Sequence, residues 1–140
     1  GRGFYFYNVH LDHQNQNSRQ KSVVLIAERI KNRKVPTDLF ILTGDFNAAE
    51  DNPAILYLKG KQPFEKHENQ VVMVDTFRNI HPDKKTVGTF GGFTGARNGS
   101  KIDYIFVGPK TKTIAAEILY TNKDGKYPSD HYPVTAEMQR

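Results

Sequence analysis

The 140-residue sequence contains no cysteine. That excludes disulfides, thiolate metal ligands and a cysteine nucleophile, while leaving the redox compartment open. It also lacks any apolar run approaching the ~20 residues needed to span a bilayer, and has no internal repeat, linker or low-complexity stretch. Gly1-Arg2-Gly3 carries no initiator methionine, signal peptide or tag and leads straight into a strand-like run. The expectation is therefore a piece that begins inside a longer gene product, with its compartment undetermined. A chain of this length suits one domain, burying roughly 70% of the surface its unfolded form would expose.

What is present is ordinary for a globular domain, at 37% hydrophobic and 11% aromatic residues. Twenty Lys plus Arg against fifteen Asp plus Glu leave a net charge of +5. Such a surface favours a polyanionic or phosphorylated ligand. The charges are nonetheless scattered over Lys31, Arg33, Lys34, Lys59, Lys61, Lys84 and Lys85, as on many solvated surfaces.

Phe4-Tyr5-Phe6-Tyr7-Asn8-Val9 reads as a buried strand ending at His10. After a polar loop, Val23, Leu25, Ile26 and Ile30 recur near helical spacing, predicting a helix from about Ser18 to Asn32 with Asn17 or Ser18 as N-cap. Leu39 to Leu42 reads as a strand covered on both faces, followed by a turn at Gly44-Asp45-Phe46-Asn47. Pro53 opens a second helix running to about Lys59, and Asp75-Thr76-Phe77 opens a short one ending near His81. A Gly-, Thr- and Phe-rich segment from Thr86 to Ser100 reads as a long loop with a short strand near Thr89-Phe90. Strands are expected at Ile102 to Val107, Ile114 to Thr121 and Pro133 to Met138. Alternating helices and strands with a strand-rich end indicate α/β architecture, a sheet packed under helices.

Polar clusters lie just beyond three strand ends, where a scaffold projects functional side chains. In Asn8-Val9-His10-Leu11-Asp12-His13, two histidines and a carboxylate suit a metal or a phosphate, or else His10 is a hydrogen-bonded structural residue. In Gly44-Asp45-Phe46-Asn47, Phe46 points into the core while Asp45 and Asn47, two positions apart in an extended chain, project to one side. Together they can orient a water or hold a phosphoryl oxygen; the alternative is a turn capped by its own side chains. In Ser129-Asp130-His131-Tyr132-Pro133, the adjacent Asp and His take different faces, one for a hard cation and the other for substrate. Finally, Asp103 lies inside an apolar strand, where an unpaired carboxylate is costly. Its expected partner is a histidine ring N–H, the alternative being a salt bridge to Lys101 or Arg97.

His at a strand end, then Gly-Asp-Phe-Asn, Ile-Asp-Tyr-Ile and Ser-Asp-His-Tyr-Pro-Val, in that order, resembles the endonuclease/exonuclease/phosphatase superfamily from about Tyr5 to Met138. The compact bacterial branch with Asn-Thr-His-Leu-Asp-His is the most similar, Val9 standing for the Thr. The resemblance implies a portion of a four-layer, DNase I-like α/β sandwich: two packed sheets flanked by helices, with part of the N-terminal layer absent. Residues 1–140 would be the C-terminal part of a single domain. It implies a divalent-metal-dependent phosphoester hydrolase, a phosphodiesterase, phosphatase or nuclease in which water attacks phosphorus directly with Mg²⁺ or Mn²⁺. Substrates would be a phosphorylated small molecule, a phospholipid or a nucleic acid.

By the same resemblance, His10 bonds a non-bridging phosphate oxygen, Asp45 positions or deprotonates the attacking water and helps hold metal, and Asn47 supports the phosphoryl group. Asp130 belongs to the metal site, and His131 lies against the scissile phosphate, held by Asp103. Arg19 and Gln20 stand where relatives often carry an Arg and a polar residue, to reach a phosphate or to lie on the surface, and Phe90 and Phe93 stand on a loop bordering the cleft, to stack on substrate or to anchor the core. The family's principal metal-binding Glu and an accompanying Asn belong to the N-terminal part, and neither Glu28 nor Glu50 stands in a context to replace that Glu. Apolar sheet surface left uncovered would favour self-association. The competing reading, from another class, is a non-catalytic nucleic-acid or phospholipid binding module that keeps the fold.

Overall fold

In the computed structural model, residues 3–139 are described; Gly1 and Arg2, which bear on where the chain begins, lie outside them, as does Arg140. Among the described residues, six strands and three helices follow in the order β1 (Phe4–His10), α1 (Gln16–Lys31), β2 (Leu39–Asp45), α2 (Pro53–Leu58), β3 (Val74–Asp75), α3 (Thr76–Ile80), β4 (Asp103–Val107), β5 (Lys112–Ile118) and β6 (Val134–Gln139). Four strands form one sheet in the order β1-β2-β4-β3, and β5 with β6 forms a second. Strand β1 runs parallel to β2, whereas β4 runs antiparallel to both β2 and β3. The parallel pair requires a crossover, and α1 supplies it. No described helix is long and apolar enough to cross a membrane.

Helix α1 starts two residues earlier than the periodicity predicts. The Asp12 carboxylate accepts the amides of Gln14 and Asn15, which tightens the preceding loop, and Asn15 then caps the helix by accepting the Ser18 amide. Val23, Val24, Ala27 and Ile30 bury one stripe of α1 against Ala54, Ile55, Tyr57 and Leu58 of α2. Both helices cover the sheet face that carries Phe40, Leu42, Tyr104 and Phe106. A smaller cluster joins Phe77 of α3 to Ala116 and Ile118 of β5 and to Tyr132. Thr89-Phe90 does not form a strand; Phe90 makes only an isolated bridge to His131. Strand β5 begins two residues before the predicted start and ends three before the predicted end.

Two expectations about burial are corrected. The aromatic run in β1 is not buried on both faces: Tyr5, Tyr7 and Val9 pack toward the core, while Phe4 and Phe6 are 64% and 60% exposed. Nor is β2 enclosed on both sides, since Phe40 and Leu42 are buried but Leu39 and Ile41 are only half-buried. Strand side chains alternate between faces, and the described residues cover just one face of β1 and β2 fully.

Strand β2 also runs further than predicted, through Gly44 to Asp45. Gly44 permits this because it has φ 145° and a side chain there would meet the Val9 carbonyl at 1.8 Å. With no side chain in the way, β1 and β2 stay paired to their ends, where His10 lies level with Asp45. The turn comes two residues later, at Asn47, whose φ is 47°.

Candidate active site

Register builds the site. His10 of β1 is level with Asp45 of β2, and Asp45 is level with Asp103 of β4. Alternation places these three residues on the less covered face, with Phe6, Ile41 and Ile105. Two carboxylates directly opposite one another on neighbouring strands repel, and two histidine rings lie beside them. The Asp45 Oδ2 atom lies 3.5 Å from His10 Nε2 and 3.8 Å from His131 Nε2. The Asp103 Oδ2 atom accepts the Nδ1–H of His131 at 2.9 Å. This is the histidine partner expected for Asp103. The alternatives go elsewhere: Lys101 bonds Asp75 at 2.9 Å, and Arg97 stacks over the Tyr120 ring.

A carboxylate on Nδ1 fixes the imidazole tautomer and leaves Nε2 as the working atom. Partial burial lowers the proton affinity of His131, but the Asp103 bond and the charges of Asp103, Asp45 and Asp130 outweigh it and hold the ring above the ordinary histidine value. Asp103 is raised from the usual carboxylate range because burial exceeds the stabilising bonds from His131 and Thr89. Phe90 approaches His131 edge-on, with ring centroids 5.1 Å apart, and covers one side of it.

The other predicted residues are placed differently. Asn47 does not project beside Asp45 from an extended chain. Instead Asp45 Oδ1 accepts the Asn47 amide at 2.7 Å, and Asn47 Nδ2 donates to the Leu11 carbonyl at 2.9 Å, tying the β2 exit to the β1 exit. Asp130 is half-buried; its carbonyl accepts the amides of Gly91 and Gly92, and its carboxylate accepts the Ser129 hydroxyl. Arg19 is buried rather than on the surface and donates to the Asp12 carbonyl and to Gln16 Oε1, while its Nε meets no partner among the described residues. Phe93 is 60% exposed with φ 62°. Glu50 is bound by Arg78 through two short bonds.

Sequence reasoning missed two features. Lys101 is fully buried against Asp75, which caps α3, and its ammonium lies over the Tyr104 ring. Thr89 is fully buried and accepts the amides of Ile102 and Asp103. Asp75 ahead of a short helix was a usable signal for the first feature, because a capping Asp buried in a core needs a cation. Thr89 carries no such signal.

Asp45, Asp103 and His131 each offer one ligand atom, all within 4.8 Å of one another, and form a possible metal-binding group. The donor set fits a hard or borderline cation. Among the described residues, Asp45 Oδ2 meets only the two long histidine contacts and so retains coordinating capacity.

The family model for the endonuclease/exonuclease/phosphatase family matches residues 3–131. The chain belongs to that family. Among solved structures, a mannosyl-6-phosphatase of Bacteroides thetaiotaomicron is similar with a TM-score of 0.78 and 27% identity, over 100% of this chain and 52% of that one. A Bacteroides vulgatus endonuclease/exonuclease/phosphatase is similar with a TM-score of 0.70 and 29% identity, over 93% and 47%. Danio rerio TDP2 complexed with a single-strand DNA product, at 17% identity and a TM-score of 0.72 over 100% and 58%, shares the fold. None of the curated proteins matches the chain. The chain spans about half the length of these structures, and its architecture is a portion of their DNase I-like α/β sandwich, with two sheets and flanking helices.

Proposed function

We propose that the protein is a phosphoester hydrolase that works with Mg²⁺ or Mn²⁺, by direct attack of water on phosphorus. The observation that carries this reading is the level row His10–Asp45–Asp103, closed by His131 on Asp103. Asp45 stands between two imidazoles and takes the proton of the attacking water as the new P–O bond forms and the ester P–O bond breaks, the departing oxygen leaving as an alcohol with a proton taken from solvent. His131, kept cationic to higher pH than an ordinary histidine, donates from Nε2 to a phosphoryl oxygen, and His10 donates to another. Asp45 and Asp130 are the carboxylates we assign to the cation, with Asp103 adjoining. A bound Mg²⁺ or Mn²⁺ supplies charge neutralisation at the phosphoryl oxygens. Asn47 fixes the loop beside Asp45 through Leu11, leaving its Oδ1 for substrate or water, and Arg19 supports the same loop through Asp12.

The substrate is a phosphorylated small molecule, a phospholipid or a nucleic acid, and the exposed Phe90 and Phe93 are the side chains we assign to its non-phosphate part. The likeness to a mannosyl-6-phosphatase makes a sugar phosphate the first natural substrate to assay. We further expect the face carrying Phe4 and Phe6 to associate with a second copy when nothing else covers it. The test of the function is turnover of a synthetic phosphomonoester and a phosphodiester in Mg²⁺, Mn²⁺ or EDTA. Metal-dependent release that EDTA abolishes is expected. Salt-sensitive binding of polyanions without turnover of any ester would instead favour the binding module.

A further inference from the structure

The loop before β4 reaches both halves of the Asp103–His131 pair through one residue. Thr89 is fully buried. Its Oγ1 accepts the Ile102 amide at 2.9 Å and the Asp103 amide at 3.1 Å. Its backbone carbonyl accepts the Tyr132 amide at 2.7 Å, one residue past His131. The neighbours continue the grip: the amides of Gly91 and Gly92 both donate to the Asp130 carbonyl, at 2.8 Å and 3.0 Å.

We infer that Thr89 is a positioning residue that locks the start of β4 and the Asp130–Tyr132 segment together, so that Asp103 and His131 meet in one geometry. Asp103 and His131 lie 28 residues apart in sequence, and β6, which follows His131, is hydrogen-bonded in the other sheet. Thr89 bonds the backbone on both sides of their contact. A hydroxyl is the group this task needs. Its oxygen accepts two amides at once, and its own proton is left for a further acceptor. Valine has nearly the same shape but would leave two enclosed amides unpaired, whereas serine keeps the oxygen.

The inference rests on Asp103 and His131 being a working pair, and its test reads their geometry independently of turnover. The His131 Nδ1–H proton is observed by NMR in the unmodified protein, in Thr89→Val and in Thr89→Ser, with thermal melts recorded alongside. The expected result is a slowly exchanging Nδ1–H in the unmodified protein and Thr89→Ser, and its loss or broadening in folded Thr89→Val. In the hydrolysis assay, Thr89→Val should lower kcat about tenfold or more with little change in KM, because orientation rather than binding is lost. A merely structural role would lower the melting temperature and leave the proton signal intact below it. That outcome overturns the inference.

If Thr89→Val does not fold, amide exchange in the unmodified protein decides. Protected Ile102 and Asp103 amides support the bonds, and unprotected exchange refutes them. A protein that hydrolyses no ester while Thr89→Val loses the signal contradicts the proposed function and keeps this inference. Hydrolysis with an unchanged signal in Thr89→Val does the reverse.

Discussion

The two faces of the four-stranded sheet carry the same residue types to different ends. On the face under α1 and α2, an acid and a base meet as Asp75 and Lys101, 2.9 Å apart and almost wholly buried. On the other face, Asp103 and His131 meet at the same 2.9 Å, with side chains 15% and 28% exposed. Distance does not distinguish them; access does. The buried pair has no route to a ligand and serves to cap α3 and anchor the chain ahead of β4. The half-open pair leaves a ring nitrogen facing Asp45, at the end of the sheet where the loops converge. An acid–base contact becomes a candidate for chemistry when one of its polar atoms is left over.

That contrast can be broken by substitution. The largest effects on stability belong to the covered face. Phe106→Ala should cost about 3–5 kcal/mol in denaturant unfolding, because it opens a void in the filled core. Lys101→Met should cost about 3 kcal/mol, because a buried Asp75 is left without its close cation. Lys59, 3.5 Å from the same carboxylate, offsets part of that loss. Burial already pulls the Lys101 ammonium down to about 8, against the attraction of Asp75.

A smaller, pH-dependent effect belongs to the open pair. Asp103 and His131 both bind protons more tightly in the folded state than their ordinary values imply. Their contribution to stability is therefore full below the unfolded values and is lost as pH rises, through the carboxylate range for Asp103 and above 6.5 for His131. Replacing His131 by Asn should cost more stability at about pH 6 than at about pH 9, as paired melts would show. An equal difference at both pH values would mean that the pair is not formed in solution. The smallest effect on stability is expected for Phe6→Lys on the open face, within about 0.5 kcal/mol. The same change should shift sedimentation toward monomer if that face mediates self-association.

Much of the site was legible as residue types in order, and little of it as geometry. Asp103 inside an apolar strand required a partner, and the histidine expected there is found. Its level with Asp45 and His10 was not legible, because register depends on how far β2 runs, and Gly44 lets it continue to Asp45 where a turn was expected. The reading of β1 as buried failed because an aromatic run reports hydrophobicity on both faces without saying whether both are covered. Asn47 was placed by strand alternation, which stops applying once the Asp45 carboxylate folds the backbone back onto itself. Thr89 could not be found at all: its role comes from accepting backbone amides, and a buried threonine leaves no pattern in the sequence.

The most direct test of the central claim is turnover by His131→Ala against the unmodified protein, on whichever ester the unmodified protein hydrolyses with metal. The account predicts a loss of at least about 100-fold, since the proposed role sets the ring against the developing charge, with a melting temperature within a few degrees of the original. Full turnover in a folded His131→Ala would contradict it, and would remove the row at the sheet's end from the chemistry.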